Sequence, residues 1–166
     1  MSEAVLNSGD TAWMLMSCAL VLLMTPGLAL FYGGMVRAKG VLNMMMMSFI
    51  SMGIVSVLWV LYGYSMAFGK DLGGGLLGDP FQMFGLTKEI APDSFFGTIP
   101  TSVFIAFQAM FAIITVALIS GAIADRTKFG GWIVFVIVWS TVVYFPVAHW
   151  VFAFDSGDKD PGGWIA

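Results

Sequence analysis

Charge is what this chain has least of. Only 10% of its 166 residues are Asp, Glu, Lys or Arg, where an average soluble domain carries roughly a quarter. With 59% hydrophobic residues and a mean hydropathy of +0.92, too little polar surface is left to face water. An ordinary soluble domain and a disordered tail are both excluded. Positive charge is scarcer still: the formal net charge is −3 and no basic run occurs, so nucleic acid finds no footprint. The single cysteine, Cys18, excludes a disulfide framework and a thiolate metal cluster. The single histidine, His149, cannot supply the two axial ligands of a membrane haem anchor.

What is present is organised by those few charges. Four stretches carry none at all: 26 residues (11–36), 30 (40–69), 31 (94–124) and 26 (129–154). A transmembrane helix needs about 20 mainly apolar residues to cross a hydrocarbon core of about 30 Å. The reading is therefore an all-α, polytopic transmembrane helical bundle, with spans near 12–35, 41–68, 99–124 and 131–153. Helices follow because backbone polar groups in lipid must be satisfied within the segment. A transmembrane barrel would alternate in ten-residue segments, and the run from Ile133 to Trp139 does not alternate. The residues ahead of the first span carry two acids and no base, unlike a secretory leader, so insertion without cleavage is expected.

Basic residues set the orientation. Arg37, Lys39, Arg126 and Lys128 occupy the two short loops, which hold a single acid, Asp125. The remaining polar segments hold nine acids and three bases. The short loops are expected to be cytoplasmic, which places the N-terminus, the loop 69–98 and the segment after Phe154 outside. The long loop reads as a polar, turn-rich connection, broken at Gly73-Gly74-Gly75, Asp79-Pro80 and Ala91-Pro92-Asp93. No Walker pattern follows those glycines. No internal repeat is evident.

No Asp, Glu, Lys or Arg falls inside a span, which excludes a voltage sensor, a carboxylate proton pump and paired-carboxylate catalysis; an enzyme is not expected. His149, near the outer end of span four, reads as an interfacial or capping histidine beside Trp150 in an aromatic belt. Span three carries Phe104, Phe107 and Phe111 at i, i+3 and i+7, one helix face, with Gln108 beside them. Phe107 and Phe111 lie about 12 and 18 Å below a start near Ile99. Such a stripe is either packing surface, or a cation–π site and hydrophobic gate. Tyr144, Trp150, Phe152 and Phe154 on span four are its expected partners. Met44 to Met47 point all round a helix and read as apolar filler, not as a soft-metal site. The span glycines, Gly27, Gly33, Gly34, Gly53, Gly63 and Gly121, suit close helix packing. Pro26-Gly27 should bend span one.

Four strings together resemble the ammonium transporter family (Amt/Mep/Rh). Thr25-Pro26-Gly27-Leu28-Ala29-Leu30-Phe31-Tyr32-Gly33-Gly34 is similar to its first span, and Leu61-Tyr62-Gly63-Tyr64-Ser65-Met66-Ala67-Phe68-Gly69 to the end of its second. Ala106-Phe107-Gln108 with Phe111, then Gly121-Ala122-Ile123-Ala124-Asp125-Arg126, resembles its third, and Tyr144-Phe145-Pro146-Val147-Ala148-His149 its fourth. The resemblance covers nearly the whole chain, in order and in register.

It implies an eleven-helix protomer, a homotrimer, and a narrow hydrophobic pore in the inner (plasma) membrane. It implies aromatic recruitment of ammonium from outside and loss of its proton, then passage of ammonia past paired histidines; methylammonium would be an analogue. No cofactor or metal is implied. Phe107, Phe111 and Phe152 take the substrate-binding positions, Phe111 also the outer half of a Phe gate, and Phe31 a pore-lining position. A PII-type signal protein is the partner implied for the cytoplasmic face. Two departures accompany this. The family commonly has tryptophan where this chain has Phe152, and Trp150 faces about 200° away on a helix. The four spans are also fewer than eleven, so the chain is expected to be the N-terminal portion of one membrane domain, unable to transport alone. The alternatives are a small four-helix membrane subunit acting as anchor or scaffold, and a membrane enzyme domain such as a quinone- or haem-binding anchor, which two histidines inside the spans would support and a single one does not.

Overall fold

The computed structural model describes residues 6–154 and 162–165. Four long helices carry the chain: α1 Ser8–Met35, α2 Ala38–Phe68, α3 Thr101–Ile123 and α4 Phe129–Phe152. Each is long and apolar enough to cross a membrane. The bundle is all-α, as the uncharged stretches require.

The helix ends differ from the charge-gap boundaries by a few residues, for local reasons. The first helix begins at Ser8 instead of 12, because the Asn7 side chain accepts from Gly9 N at 2.9 Å and Asp10 N at 3.2 Å. That cap satisfies amides that a new helix leaves free. The second starts at Ala38 with a short tight turn, ahead of 41. The third starts at Thr101, not 99, because Ile99–Pro100 (β2) pairs antiparallel with Phe95–Phe96 (β1) and Pro100 then caps the helix. The fourth runs Phe129–Phe152, where 131–153 is expected from charge alone.

Apolar helices in lipid gain nothing from mere hydrophobic contact, so close approach and interhelical hydrogen bonds hold them. The central helix is α2, which packs on α1, α3 and α4, while α1 also packs on α3. Trp59 Nε1 on α2 donates to Ile105 O on α3 at 3.2 Å. Trp132 Nε1 on α4 donates to Met47 O on α2 at 2.9 Å. Tyr32 on α1 donates to Leu118 O on α3 at 3.0 Å, which is reached because Gly121 leaves room for the Tyr32 ring. Wide π turns interrupt α2 at Trp59–Gly63 and α4 at Ser140–Tyr144. They face each other, with the Tyr62 hydroxyl 2.8 Å from Thr141 Oγ1 and the Phe145 ring seated against Gly63.

The methionine run does point round the helix: Met44 and Met47 are buried and Met46 is exposed. Among the described residues no three His, Cys, Asp or Glu side chains gather closely enough to hold a metal ion. The long loop is more ordered than a turn-rich connection suggests. Ser65 on α2 donates to Asp79 O and accepts from Met83 N at 3.0 Å. Asp71 bridges Gly78, and Gly74 and Gly75 take positive φ between them. Thr98 Oγ1 in the hairpin turn donates to Asp10 Oδ2 at 2.6 Å. These bonds lash the loop to one end of the bundle.

Candidate substrate site at the long-loop end

The bundle places Phe107, Gln108, Phe111 and Thr115 of α3 opposite Tyr144 and Phe152 of α4, and the six line one cavity of about 400 Å³. Helical spacing explains the α3 wall: 107, 111 and 115 are successive i+4 neighbours on one face. The Phe107 and Phe111 rings meet edge to face, 5.0 Å between centroids at 75°. Thr115 Oγ1 donates back to Phe111 O at 2.7 Å, which holds that turn. Among the described residues no charged side chain contributes to this lining. The cavity therefore offers π faces and neutral dipoles, a setting that attracts a small desolvated cation and repels none of its neutral form.

The three candidate substrate residues thus share one cavity. Phe31 does not join them: it is 61% exposed on α1, tilted against Tyr32 at 5.7 Å, and absent from the lining. Phe104 also leaves the stripe. It stacks on Phe96 of the hairpin at 3.9 Å and meets Phe68 edge-on at 5.4 Å, because the three-residue step turns it toward the loop. Of the expected α4 partners, Tyr144 and Phe152 line the cavity. Trp150 instead donates to Leu76 O at 2.7 Å, and Phe154 lies in a neighbouring cavity. Thr115 was readable as the next step of the i+4 series but carries no chemical signal of its own.

His149 is buried, 1% exposed, with Nδ1 3.1 Å from Ala67 O in the last turn of α2, a capping contact, and Nε2 3.5 Å from Asp71 Oδ1. Burial pushes the Asp71 carboxyl up, but the amides of Gly75 and Gly73 and the His149 ring together outweigh it and hold it below its ordinary value. No local signal links His149 to Asp71, which lie far apart in the chain.

Residues 12–166 match the model of the Ammonium Transporter Family. An ammonium transporter of Mycobacterium tuberculosis is 61% identical over 175 residues, covering 96% of this chain and 36% of the relative. One from Bacillus subtilis is 47% identical over 162 residues, covering 96% and 37%. The crystal structure of Candida albicans Mep2 superposes with a TM-score of 0.80 at 32% identity, covering 96% of this chain and 33% of that one. The chain spans about a third of the length of these relatives. A family model that matches nearly the whole chain, on a bundle that superposes on a solved member, establishes that this chain belongs to the Ammonium Transporter Family, whose members are membrane transport proteins and not enzymes.

Proposed function

We propose that this chain is the N-terminal part of a membrane domain that moves ammonium or ammonia across the plasma membrane. The observation that carries the reading is the cavity of Phe107, Phe111 and Phe152, whose lining among the described residues carries no charge and has Gln108, Thr115 and Tyr144 as its polar groups. In it, aromatic faces recruit the cation, each worth about 0.5–2 kcal/mol depending on desolvation. The absence of a countercharge then favours passage of the neutral form, because an ion in a dry apolar constriction is costly. Phe111, in edge contact with Phe107, acts as the gate, and the substrate sheds its proton before conduction. Phe31 is kept as a pore-lining position only for a pathway completed by further helices.

The positive-inside pattern supports an external N-terminus and long loop, with the Arg37–Lys39 and Arg126–Lys128 turns in the cytoplasm. A PII-type signal protein would dock on that face, and the assembly would be a homotrimer. The chain alone leaves the site walled on one side: Phe111 and Phe152 are 38% and 43% exposed. It is therefore not expected to transport by itself.

The test is uptake of radiolabelled methylammonium by proteoliposomes holding the full-length protein. Phe111→Ala should change uptake or admit alkali cations. Unchanged uptake together with unchanged ion exclusion would remove Phe111 from the gate. Wild-type liposomes that take up no methylammonium would favour the rival reading, a four-helix anchor.

A further inference from the structure

The two π turns of the bundle lie against each other, one in α2 at Trp59–Gly63 and one in α4 at Ser140–Tyr144. In each, the amide after the turn donates five residues back: Tyr64 N to Trp59 O, and Phe145 N to Ser140 O. Such turns are rare, occur mostly as single bulges within α-helices, and are frequent at functional sites. Each delivers a tyrosine to a cavity wall. Tyr144 lines the aromatic cavity. Tyr64 lines a neighbouring one of about 370 Å³, which carries Asp71 and Glu89 and shares Phe152 with the first.

The wide turn explains how Tyr144 reaches its place. An aromatic row runs along α4 from Trp132 to Phe135 to Trp139, with ring centroids 5.4 and 6.4 Å apart. Those steps are three and four residues, the spacing of neighbours on one helix face. The next ring is Tyr144, five residues on and still 6.4 Å from Trp139. In an α-helix a five-residue step carries a side chain about 140° round the axis. The π turn removes that offset. The same holds on α2, where Trp59 and Tyr64, also five apart, meet edge to face at 5.9 Å.

The turn in α4 is anchored on both sides: Trp132 Nε1 donates to Met47 O before it, and the Phe145 ring sits against Gly63 after it. Inside the turn, the Tyr62 hydroxyl lies 2.8 Å from Thr141 Oγ1. Thr141 Oγ1 gives its one hydrogen to Ile137 O at 2.8 Å, so Tyr62 is the donor of the pair. The adjacent hydroxyl, Ser140 Oγ, is buried without a hydrogen-bond partner among the described residues and adds no bond to the turn. We propose that the Tyr62–Thr141 hydrogen bond holds the π turn of α4 in place and so aims Tyr144 into the aromatic cavity, which makes Tyr62 and Thr141 positioning residues for substrate binding. Neither lines that cavity; both act through Tyr144. This inference rests on the transport reading above.

The test uses the full-length protein in liposomes, with methylammonium uptake followed against concentration. Tyr62→Phe and Thr141→Val each remove one hydroxyl and keep the packing shape, so either carries the test if the other fails to fold. Each should raise KM about fivefold and leave kcat within about a factor of two, the signature of weakened ground-state binding after loss of one hydrogen bond. Thr141→Ser keeps the acceptor and should behave as wild type. In a Tyr144→Ala background neither change should raise KM further, because the ring they aim is gone. A packing role would instead lower kcat and add to the effect of Tyr144→Ala. An unchanged KM in the hydroxyl variants, or an effect undiminished by Tyr144→Ala, would refute the positioning role. If wild-type protein takes up methylammonium and only the cavity variants alter uptake, the transport reading stands and this inference alone falls. No wild-type uptake would remove both.

Discussion

Gly63→Ala tests the junction that positions α4 against α2. A Cβ at Gly63 would sit 2.6 Å from Phe145 Cζ and 2.9 Å from both Cε atoms, against a normal carbon–carbon separation of about 3.5–4.0 Å. The ring would have to withdraw by about 1 Å. It has nowhere to go: Phe145 is 0% exposed, with Trp59, Tyr62 and Tyr144 rings at 5.7, 5.9 and 6.2 Å. Overpacking of this kind costs about 1–3 kcal/mol, and alanine returns about 1 kcal/mol of helix propensity. A net loss of about 0–2 kcal/mol should lower the melting temperature by up to about 8 °C, and put it about 1–3 kcal/mol below a glycine-to-alanine change without the clash. The assay is thermal unfolding of the purified full-length protein at one fixed scan rate, since membrane proteins often unfold irreversibly. Gly27→Ala is the matched control. It has nothing within 4 Å of the new methyl, so it should melt at or above wild type. Adding Phe145→Leu to Gly63→Ala should recover part of the loss, because the two changes share one contact. A Gly63→Ala protein as stable as Gly27→Ala would refute the packing argument.

Other outcomes follow from the same geometry. Phe152→Trp should lower KM for methylammonium severalfold, because indole offers a stronger π face and an N–H donor; a raised KM would show that the side chain points away from substrate. Trp132→Phe removes interhelical donations to Met47 O and Ser51 Oγ and should cost about 1–2 kcal/mol, read as a lower melting temperature. Gly121→Ala should displace Tyr32, whose ring carbon would lie 2.6 Å from the new methyl. That should break the Tyr32–Leu118 bond and loosen α1, visible as faster amide exchange in α1 alone.

How far the chain can be read without its tertiary structure varies element by element. The four spans were legible because lipid tolerates no charge and no unpaired backbone, so a gap of 26 or more uncharged residues has one outcome. Phe107 and Phe111 were legible as neighbours because i+4 spacing is local geometry. Phe104, one step away in the same pattern, was misassigned, because its partner Phe96 sits on a hairpin that charge and hydropathy do not reveal. The start of α1 was missed for a related reason: a side-chain cap at Asn7 decided it, not hydrophobicity.

The amino-acid order thus determined that this is a membrane bundle, with four crossings, two basic turns and an aromatic stripe free of charge. Folding decided which stripe residues meet α4, and that His149 is buried between Ala67 O and Asp71. It also decided that Phe152 stands between a charged cavity and an uncharged one. The physical reason is that these helices are apolar on every side. No amphipathic face announces the neighbour, and contacts are chosen by shape, glycine clearances and a few interhelical hydrogen bonds, which exist only once distant segments have met.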